Sequence, residues 1–272
     1  MEKENVIVEV VKEVGKEVYE DVAQSSVRNV GNFFGTLSGF FNHVVVYPLK
    51  KLNIKYEQKI IAFEKKMKEK YENIPLENRV EPELHIVGPT LESLKYNILD
   101  DDLSDLFSNL LISDLDNSTQ NNCSPAFIKI IEQLSTIDAK IYKSLYELIS
   151  VKKHLPICNI IFESEDDSDM IIKKEYYPNN ILNYDFFNFD AYDLSKSIEA
   201  LSRLGLITVS YLTFVKDSSA YEDLKNQKII KEFEDNFSLL MNTKYVAKVK
   251  NKGIITLSEF SYSFASVCLR NK

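Results

Sequence analysis

The sequence predicts a mainly α-helical protein with a small α+β part. Apolar residues recur at helical spacing over much of the first 150 residues, which is the pattern of amphipathic helices. The 272 residues include only 7 Gly and 7 Pro, too few for a turn-rich β-sandwich. Short alternating runs, typical of strands, follow residue 205. We therefore expect a helical N-terminal segment over 1–49, a helical middle over 50–150 and a winged-helix-like unit over 151–272.

Composition places the chain among globular proteins. Hydrophobic residues make up 44% of it and charged residues 27%, which excludes a disordered chain. The net charge of −8 argues against sequence-independent binding of nucleic acid, because that binding needs a basic surface. The cysteines at 123, 158 and 268 are too far apart for a CxxC metal site or a disulfide framework. With no N-terminal signal sequence, we expect reduced thiols in a cytosolic environment.

Catalytic signatures are missing from the sequence. The three histidines, at 43, 85 and 154, are widely separated. No phosphate-binding glycine loop, zinc-protease motif or serine-hydrolase motif is present. We therefore expect no catalytic residue, no metal, no cofactor and no enzymatic activity.

Two acidic clusters have structural explanations. The run from Asp100 to Asp102, with Asp105 one turn further on, begins an apolar helix pattern. Carboxylates at that position cap free N–H groups and favour the helix dipole. Asp114 and Asp116 resemble a calcium-binding loop, but the turn glycine and closing glutamate of such a loop are missing. We interpret this second cluster as a solvated loop.

The N-terminal segment contains two different helix patterns. Residues 2–23 alternate apolar and charged residues at helical spacing, as in a surface helix that needs a packing partner. Residues 29–49 carry no charge over 21 residues, between Arg28 and Lys50. A helix of that length reaches roughly 30 Å, the thickness of a bilayer core. The length and the absence of charge together indicate a membrane-active helix, which Pro48 ends or kinks.

The two faces of the 29–49 helix differ in a way that favours an oligomeric bundle. One face is bulky and apolar, with phenylalanine, valine and leucine at helical spacing. The other is small and polar, and its three glycines form two overlapping GxxxG units that let helices approach closely. We expect this second face to pack against neighbouring helices or to line a pore, through Gly31, Asn32, Gly35, Thr36, Gly39, Asn42 and His43. Burial in a soluble assembly and peripheral membrane attachment are the alternatives.

A basic helix follows over residues 50–72, with eight lysines. Beside a membrane-active segment, such a helix favours anionic headgroups and a cytoplasmic position, although a solvated helix face is equally consistent with the pattern. Lys51, Lys55, Lys59 and Lys66 lie on one face and are candidates for binding an anionic ligand. Lys248 and Lys250, in a second basic cluster over 244–272, are the other candidates.

The middle of the chain and its C-terminal unit show local start and stop signals. A loop over 74–89 precedes helices over 90–150, of which one has Ser124 as its cap and Pro125 at its first position. The winged-helix-like unit has a helix over 190–204 with Gly205 as its C-cap, a strand from 206, a hairpin formed by 245–249 and 254–257, and a closing helix near 260–267. Its helix over 190–204 is not basic. We therefore expect it to contact protein rather than duplex DNA.

Several of these stretches resemble the abortive infection alpha (Abi-alpha) proteins of bacteria. The resemblance covers roughly residues 50–270 and rests on structural motifs. They run from Lys55-Tyr56-Glu57 through Gly88-Pro89-Thr90-Leu91-Glu92, the stretch 101–111, Ser124-Pro125-Ala126-Phe127 and the stretch 133–139 to Leu204-Gly205-Leu206-Ile207 and the stretch 253–260. The family commonly has Trp at the position of Phe107. The resemblance implies anti-phage defence in which infected cells stop growing or die, and it transfers no catalytic signature.

These observations predict an anti-phage effector that oligomerises and forms a membrane pore or ion channel when triggered. The expected partners are further copies of the chain, of which a tetramer is one arrangement, and the membrane. A nucleotide or short oligonucleotide made by a partner enzyme is the candidate gating ligand. We expect the inner membrane as the location, with the bulk of the chain cytoplasmic. The alternative is a soluble, cytoplasmic sensor or regulatory interaction protein of a phage-defence system.

Overall fold

The computed structural model describes residues 54–164, 173–175, 178–184, 187 and 189–270. In these ranges it has nine α-helices and one four-stranded antiparallel sheet. The predicted mainly α fold with a small α+β part is thereby confirmed. The two predicted N-terminal helices, over 2–23 and 29–49, lie outside the described residues.

The described chain forms two compact units. The first comprises residues 54–136 and 263–270, and the second comprises residues 137–262. The domains predicted as 1–49, 50–150 and 151–272 stay predictions.

The first unit is helical. Its helices are α1 (Ile54–Glu72), α2 (Leu84–Asn97), α3 (Asp101–Asp114) and α4 (Pro125–Gln133), with short 3₁₀ turns at Leu76–Asn78 and Gln120–Asn122. The predicted loop over 74–89 is shorter than expected, because α2 begins at Leu84 and contains Pro89. The side chains of Thr90 and Ser93 donate to the carbonyls of Ile86 and Pro89 in this stretch.

Local capping signals place the starts of α3 and α4 as the sequence predicts. The Asp100 carboxylate accepts hydrogen bonds from the N–H groups of Asp102 and Leu103, both at 3.0 Å. The Ser124 hydroxyl accepts one from Ala126 at 3.3 Å, with Pro125 at the first helical position. Each cap satisfies N–H groups that have no partner within the helix.

The core of the first unit is built around α3, which is buried along most of its length. Phe107, Leu110 and Leu111 are fully buried there. The end of the C-terminal helix α9 (Glu259–Cys268) belongs to the same core, where Phe264 meets Phe127 edge to face at 5.4 Å between ring centroids. Asn109 and Ser113 of α3 donate to the carbonyls of Cys268 and Val267, at 2.8 and 3.1 Å. These bonds satisfy the last carbonyls of α9, which have no partner within that helix.

The second unit contains the sheet. Its strands are β1 (Leu155–Ser164), β2 (Lys173–Glu175), β3 (Ile207–Ser210) and β4 (Tyr245–Leu257), and the spatial order is β2-β1-β4-β3. Its helices are α5 (Thr136–Lys152), α6 (Ala191–Arg203), α7 (Ser219–Lys225) and α8 (Lys228–Met241). The helix predicted over 190–204 is confirmed as α6, with an Asp190 cap and Gly205 at φ +74° just past its end.

The predicted hairpin over 245–257 is wrong. These residues form the single long strand β4, which pairs with β1 from Tyr245 opposite Ser164 to Ile255 opposite Leu155. Lys250 is an extra residue at a bulge, since Val249 and Asn251 lie opposite consecutive β1 residues. The polar stretch 250–253, which resembles a turn, therefore contains a bulge instead. The backbone N–H and C=O groups of β4 pair with those of β1, a strand that the periodicity of the sequence does not predict. The winged-helix arrangement stays a prediction.

Gly253 is needed in β4 because another strand approaches it closely. A Cβ atom at this position would lie 2.5 Å from the Ser210 carbonyl oxygen and 2.8 Å from the Tyr211 ring. The predicted hairpin has Gly253 in its turn, whereas the observed strand β4 contains it. In the structure it provides the space in which the end of β3 packs on β4.

Candidate functional site

Two of the predicted ligand-binding residues, Lys59 and Lys66, line one cleft in the first unit. The cleft has a volume of about 380 Å³. Helix α1 contributes most of its wall and the start of α3 contributes the opposite side. The lining residues are Gln58, Lys59, Ala62, Phe63, Lys66, Ile98, Asp101 and Ser104.

Helix periodicity explains why these side chains lie together. Lys59 and Lys66 are seven residues apart, or two turns, so they share one face of α1. Ile60, Phe63 and Met67 form the neighbouring stripe and are buried, which fixes the orientation of the helix. The lysine ammonium groups are therefore held at the rim of a cleft whose floor includes Phe63 and Ile98, both buried.

Each of these lysines is ion-paired with α3. Lys59 Nζ lies 2.5 Å from Asp101 Oδ1, and Lys66 Nζ lies 2.8 Å from Asp105 Oδ1. The Asp101 side chain is 80% exposed and that of Asp105 is 44% exposed. Ion pairs this accessible contribute about 0.2–1 kcal/mol each, because water screens the charges. No local sequence pattern predicts these partners, which lie 39 to 42 residues further along the chain.

Lys70, which was not predicted as a site residue, is held more firmly than either of these. Its side chain is only 13% exposed, and Nζ donates to Asp105 Oδ1 and Asn109 Oδ1, both at 2.5 Å, and to Ser108 Oγ at 2.7 Å. Burial alone would raise the pKa of Asp105, but hydrogen bonds from Lys66 and Lys70 outweigh it and hold the pKa below its ordinary value of 3.8. Asp105 therefore keeps a partly buried cationic partner, Lys70, whether or not Lys66 contacts it.

The remaining predicted lysines are placed differently. Lys51 lies outside the described residues, and Lys55 lies in α1 with its side chain outside the description. Lys248 and Lys250 belong to β4 in the second unit, where Lys248 Nζ lies 2.7 Å from Glu163 Oε2. Lys250 is exposed at the bulge.

The predicted pore-lining and helix-packing residues all belong to the stretch 29–49. Gly31, Asn32, Gly35, Thr36, Gly39, Asn42 and His43 lie outside the described residues. Among the helices of residues 54–270 that the structure describes, none is both long enough and apolar enough to cross a bilayer.

The interpretation of Asp114 and Asp116 as a solvated loop is wrong, because both side chains are buried. Asp116 Oδ2 lies 2.6 Å from the Arg270 guanidinium, and its Oδ1 accepts from the backbone and hydroxyl of Ser118 at 3.0 and 2.6 Å. Burial alone would raise the pKa of Asp116, but these partners outweigh it and lower the pKa below 3.8. Arg270 lies 154 residues further along the chain than Asp116, and a local sequence pattern does not reveal such a contact.

Asp114 has fewer partners than Asp116. Its Oδ2 accepts from the Glu83 backbone N–H at 2.9 Å, while Oδ1 is buried without a hydrogen-bond partner in the described part of the chain. Burial raises the pKa of Asp114 to about 7. The Glu83 N–H opposes this shift and the Glu83 carboxylate adds to it. The proton on this carboxyl group therefore titrates near neutral pH.

The cysteines show no sign of reactivity. Burial raises the pKa of the Cys123 and Cys158 thiols to about 12 and that of Cys268 well above its ordinary value. These thiols are protonated at neutral pH and are poor nucleophiles. Within the described ranges, no group of three or more His, Cys, Asp or Glu side chains is placed to hold a metal ion.

Comparison with known proteins gives one match. The model of the abortive infection alpha family covers residues 55–268, which is most of the chain. No curated protein and no solved structure matches the chain significantly. The matched range begins in α1, includes both units and ends with α9, and it coincides with the motifs that suggested the resemblance. The chain belongs to the abortive infection alpha family.

Proposed function

We propose that this protein is an anti-phage abortive-infection effector that oligomerises and opens a membrane pore through residues 29–49 when triggered. The family supports the defence role. The observation that carries the pore is the uncharged stretch of 21 residues with one bulky apolar face and one small polar face. A helix with these two faces gains most in a bundle, where phenylalanine and valine contact lipid and the glycines let neighbouring helices approach.

In this proposal, the first unit controls the opening of the pore. Helix α1 begins at Ile54, only five residues after the pore segment ends at Leu49. Any rearrangement of α1 against α3 is therefore transmitted to the segment over a short connection. A pore that opens without infection would kill its host, so control needs a ligand that binds the closed and open states with different affinity. A nucleotide or short oligonucleotide messenger would supply that difference.

The orientation follows from the charges around the segment. Eight lysines lie within residues 50–72, directly after the uncharged stretch. Such clusters remain on the cytoplasmic side of bacterial membranes. The described units would then lie in the cytoplasm, attached to the inner membrane.

A substitution on the small polar face tests the proposal. Gly35→Leu adds a bulky side chain where the helices would approach, so leakage of dye from liposomes and protection against phage are both expected to be lost. Phe34→Leu is the matched control, because it keeps an apolar side chain on the opposite face and is expected to retain both. Phe34→Asp is expected to abolish insertion.

Two results would contradict the proposal. Full activity of Gly35→Leu would exclude close helix packing. A wild-type protein that protects cells, stays in the soluble fraction and never causes leakage would instead favour a soluble sensor or regulatory role.

A further inference from the structure

We infer that the cleft between α1 and α3 binds a phosphate ester, and that Asp101 competes with this ligand for Lys59. Gating by the ligand rests on the proposed function, whereas binding can be tested separately. The cleft volume of about 380 Å³ lies within the range of small-molecule sites. Its lining combines apolar side chains with a few convergent charges, which is the usual composition of such sites.

The charges of the cleft favour an anion. Two lysines and one aspartate are the charged residues among those that line it. The cleft also includes Asp101 and Ser104 in the first turns of α3, where the helix dipole favours negative charge. The Asp101 carboxylate already lies in this field, 2.5 Å from Lys59 Nζ. It occupies the position that a ligand phosphate would take.

Both lysines can be released at low cost. The Asp101 side chain is 80% exposed, so its carboxylate can rotate away from Lys59 and be solvated when a stronger anion reaches that lysine. Asp105 retains Lys70 when Lys66 leaves, because Lys70 Nζ also lies 2.5 Å from its Oδ1. Neither movement leaves a buried charge without a partner. A phosphate carries more charge than a carboxylate and accepts more hydrogen bonds, so it competes effectively for the two ammonium groups.

The apolar surface of the cleft favours a ligand in which an apolar group is attached to the phosphate. Phe63 and Ile98 are themselves buried, so the accessible apolar surface of the cleft consists of the exposed Ala62 methyl group and the aliphatic stems of Lys59 and Lys66. Inorganic phosphate would leave this surface in contact with water. An ester with an aromatic or aliphatic group would cover it, so we expect an ester to bind more tightly than phosphate alone.

Ligand binding would also change the contacts that hold α1 against α3. The Lys59–Asp101 pair is the ion pair nearest to the start of α1 among the described residues. Its replacement by a Lys59–ligand contact alters the attachment of that end to α3. This is the end that leads to residues 29–49.

Calorimetry on the purified 272-residue chain tests the site with defined probes. Adenosine 5′-monophosphate carries a phosphate and an aromatic base, and soluble dihexanoyl phosphatidate carries a phosphate and aliphatic chains. Inorganic phosphate and adenosine each lack one part. We expect one of the two esters to bind more tightly than inorganic phosphate, and the better ester identifies a soluble messenger or a lipid headgroup as the source. No binding of either ester would overturn the inference.

Substitutions locate the ligand. Lys59→Gln and Lys66→Gln are each expected to weaken ester binding about tenfold, the loss of one charge-assisted contact. Lys65→Gln and Lys68→Gln remove exposed lysines of the same helix that do not line the cleft, and are expected to have little effect. Equal losses in both sets would show non-specific attraction and would overturn the inference.

Asp101→Asn is the sharpest variant. Removal of an internal competitor is expected to tighten ester binding, by up to about fivefold for an exposed ion pair. A purely structural pair would leave affinity unchanged or reduced, and that result would contradict competition. Ester binding without any liposome leakage would support the site and contradict the pore. Leakage from liposomes that an extract of infected cells triggers, without any ester binding, would support the pore and contradict the site.

Discussion

Replacement of Asp114 by asparagine should remove a pH dependence that the structure builds into the first unit. The Asp114 carboxyl group is fully buried, with one hydrogen bond from the Glu83 N–H and one oxygen without a partner in the described part of the chain. Its pKa is raised by burial from 3.8 to about 7. The native protein therefore binds this proton more tightly than the unfolded chain does.

The sign and size of the effect follow from that difference. Between about pH 4 and pH 7 the unfolded chain binds fewer protons at this site than the native chain, so the free energy of unfolding falls as the pH rises. The difference in pKa corresponds to about 4 kcal/mol, and the loss is nearly complete by about pH 8. Asp114→Asn cannot ionise and should lack this decrease.

Urea unfolding of both proteins over a series of pH values measures the effect. The asparagine amide adds a buried donor, so the absolute stability of the variant is less informative than its slope against pH. We expect the free energy of unfolding of the variant, relative to wild type, to increase by about 4 kcal/mol from about pH 4 to about pH 8. If the free energy of unfolding varied with pH in the same way in both proteins, Asp114 would not be a buried carboxyl group with a raised pKa.

Asp116→Asn is a control of opposite sign. The pKa of Asp116 is lowered, because Ser118 and Arg270 outweigh the effect of burial. Its stabilising contribution is therefore present above about pH 4 and is lost as the pH falls below that value. Relative to wild type, the free energy of unfolding of Asp114→Asn should thus rise between about pH 4 and about pH 8, whereas that of Asp116→Asn should fall as the pH rises to about 4 and then stay constant.

Three further substitutions test packing and hydrogen bonding by chemical denaturation. Lys70→Met removes an ammonium group with three acceptors and should cost about 1–3 kcal/mol; an unchanged stability would show that the contacts are dispensable. Gly253→Ala places a methyl group against the Ser210 carbonyl and should cost about 1–3 kcal/mol, with no cost if β3 lies further away. Tyr142→Phe removes a buried hydroxyl that donates to the Ser261 carbonyl, and should cost about 1 kcal/mol; an equal stability would indicate that water replaces the bond.

Local signals in the sequence were sufficient for much of the helical part. Asp100 and Ser124 are predicted and observed caps, because a cap depends on the two or three residues that follow it. Asp190, where the predicted helix begins, is also a cap in the structure. Gly205 likewise ends α6 with a positive φ that glycine adopts without strain. The spacing of apolar residues in α3 likewise identifies side chains that are buried, although Ser108, Asn109 and Ser113 of the same helix are buried too.

Contacts between distant residues explain what the sequence did not reveal. Strand β4 was interpreted as a hairpin because its partner β1 lies some 90 residues earlier and has no clear alternation. Asp116 was interpreted as solvated because its partner Arg270 lies 154 residues later. In both cases the sequence pattern singles out the residues themselves but does not reveal the distant residues that contact them.

The lysines of α1 and the aspartates of α3 show how two local interpretations change once they are combined. Taken separately, the lysines indicate a headgroup-binding face and the aspartates indicate a helix cap. In the structure Lys59 and Lys66 pair with Asp101 and Asp105, so the basic face of α1 is partly neutralised within the first unit. A lysine engaged by an aspartate is less available to an anionic lipid or messenger. Any anion that binds α1 on this face must therefore compete with α3, and this competition would couple binding to the position of the helix that leads to residues 29–49.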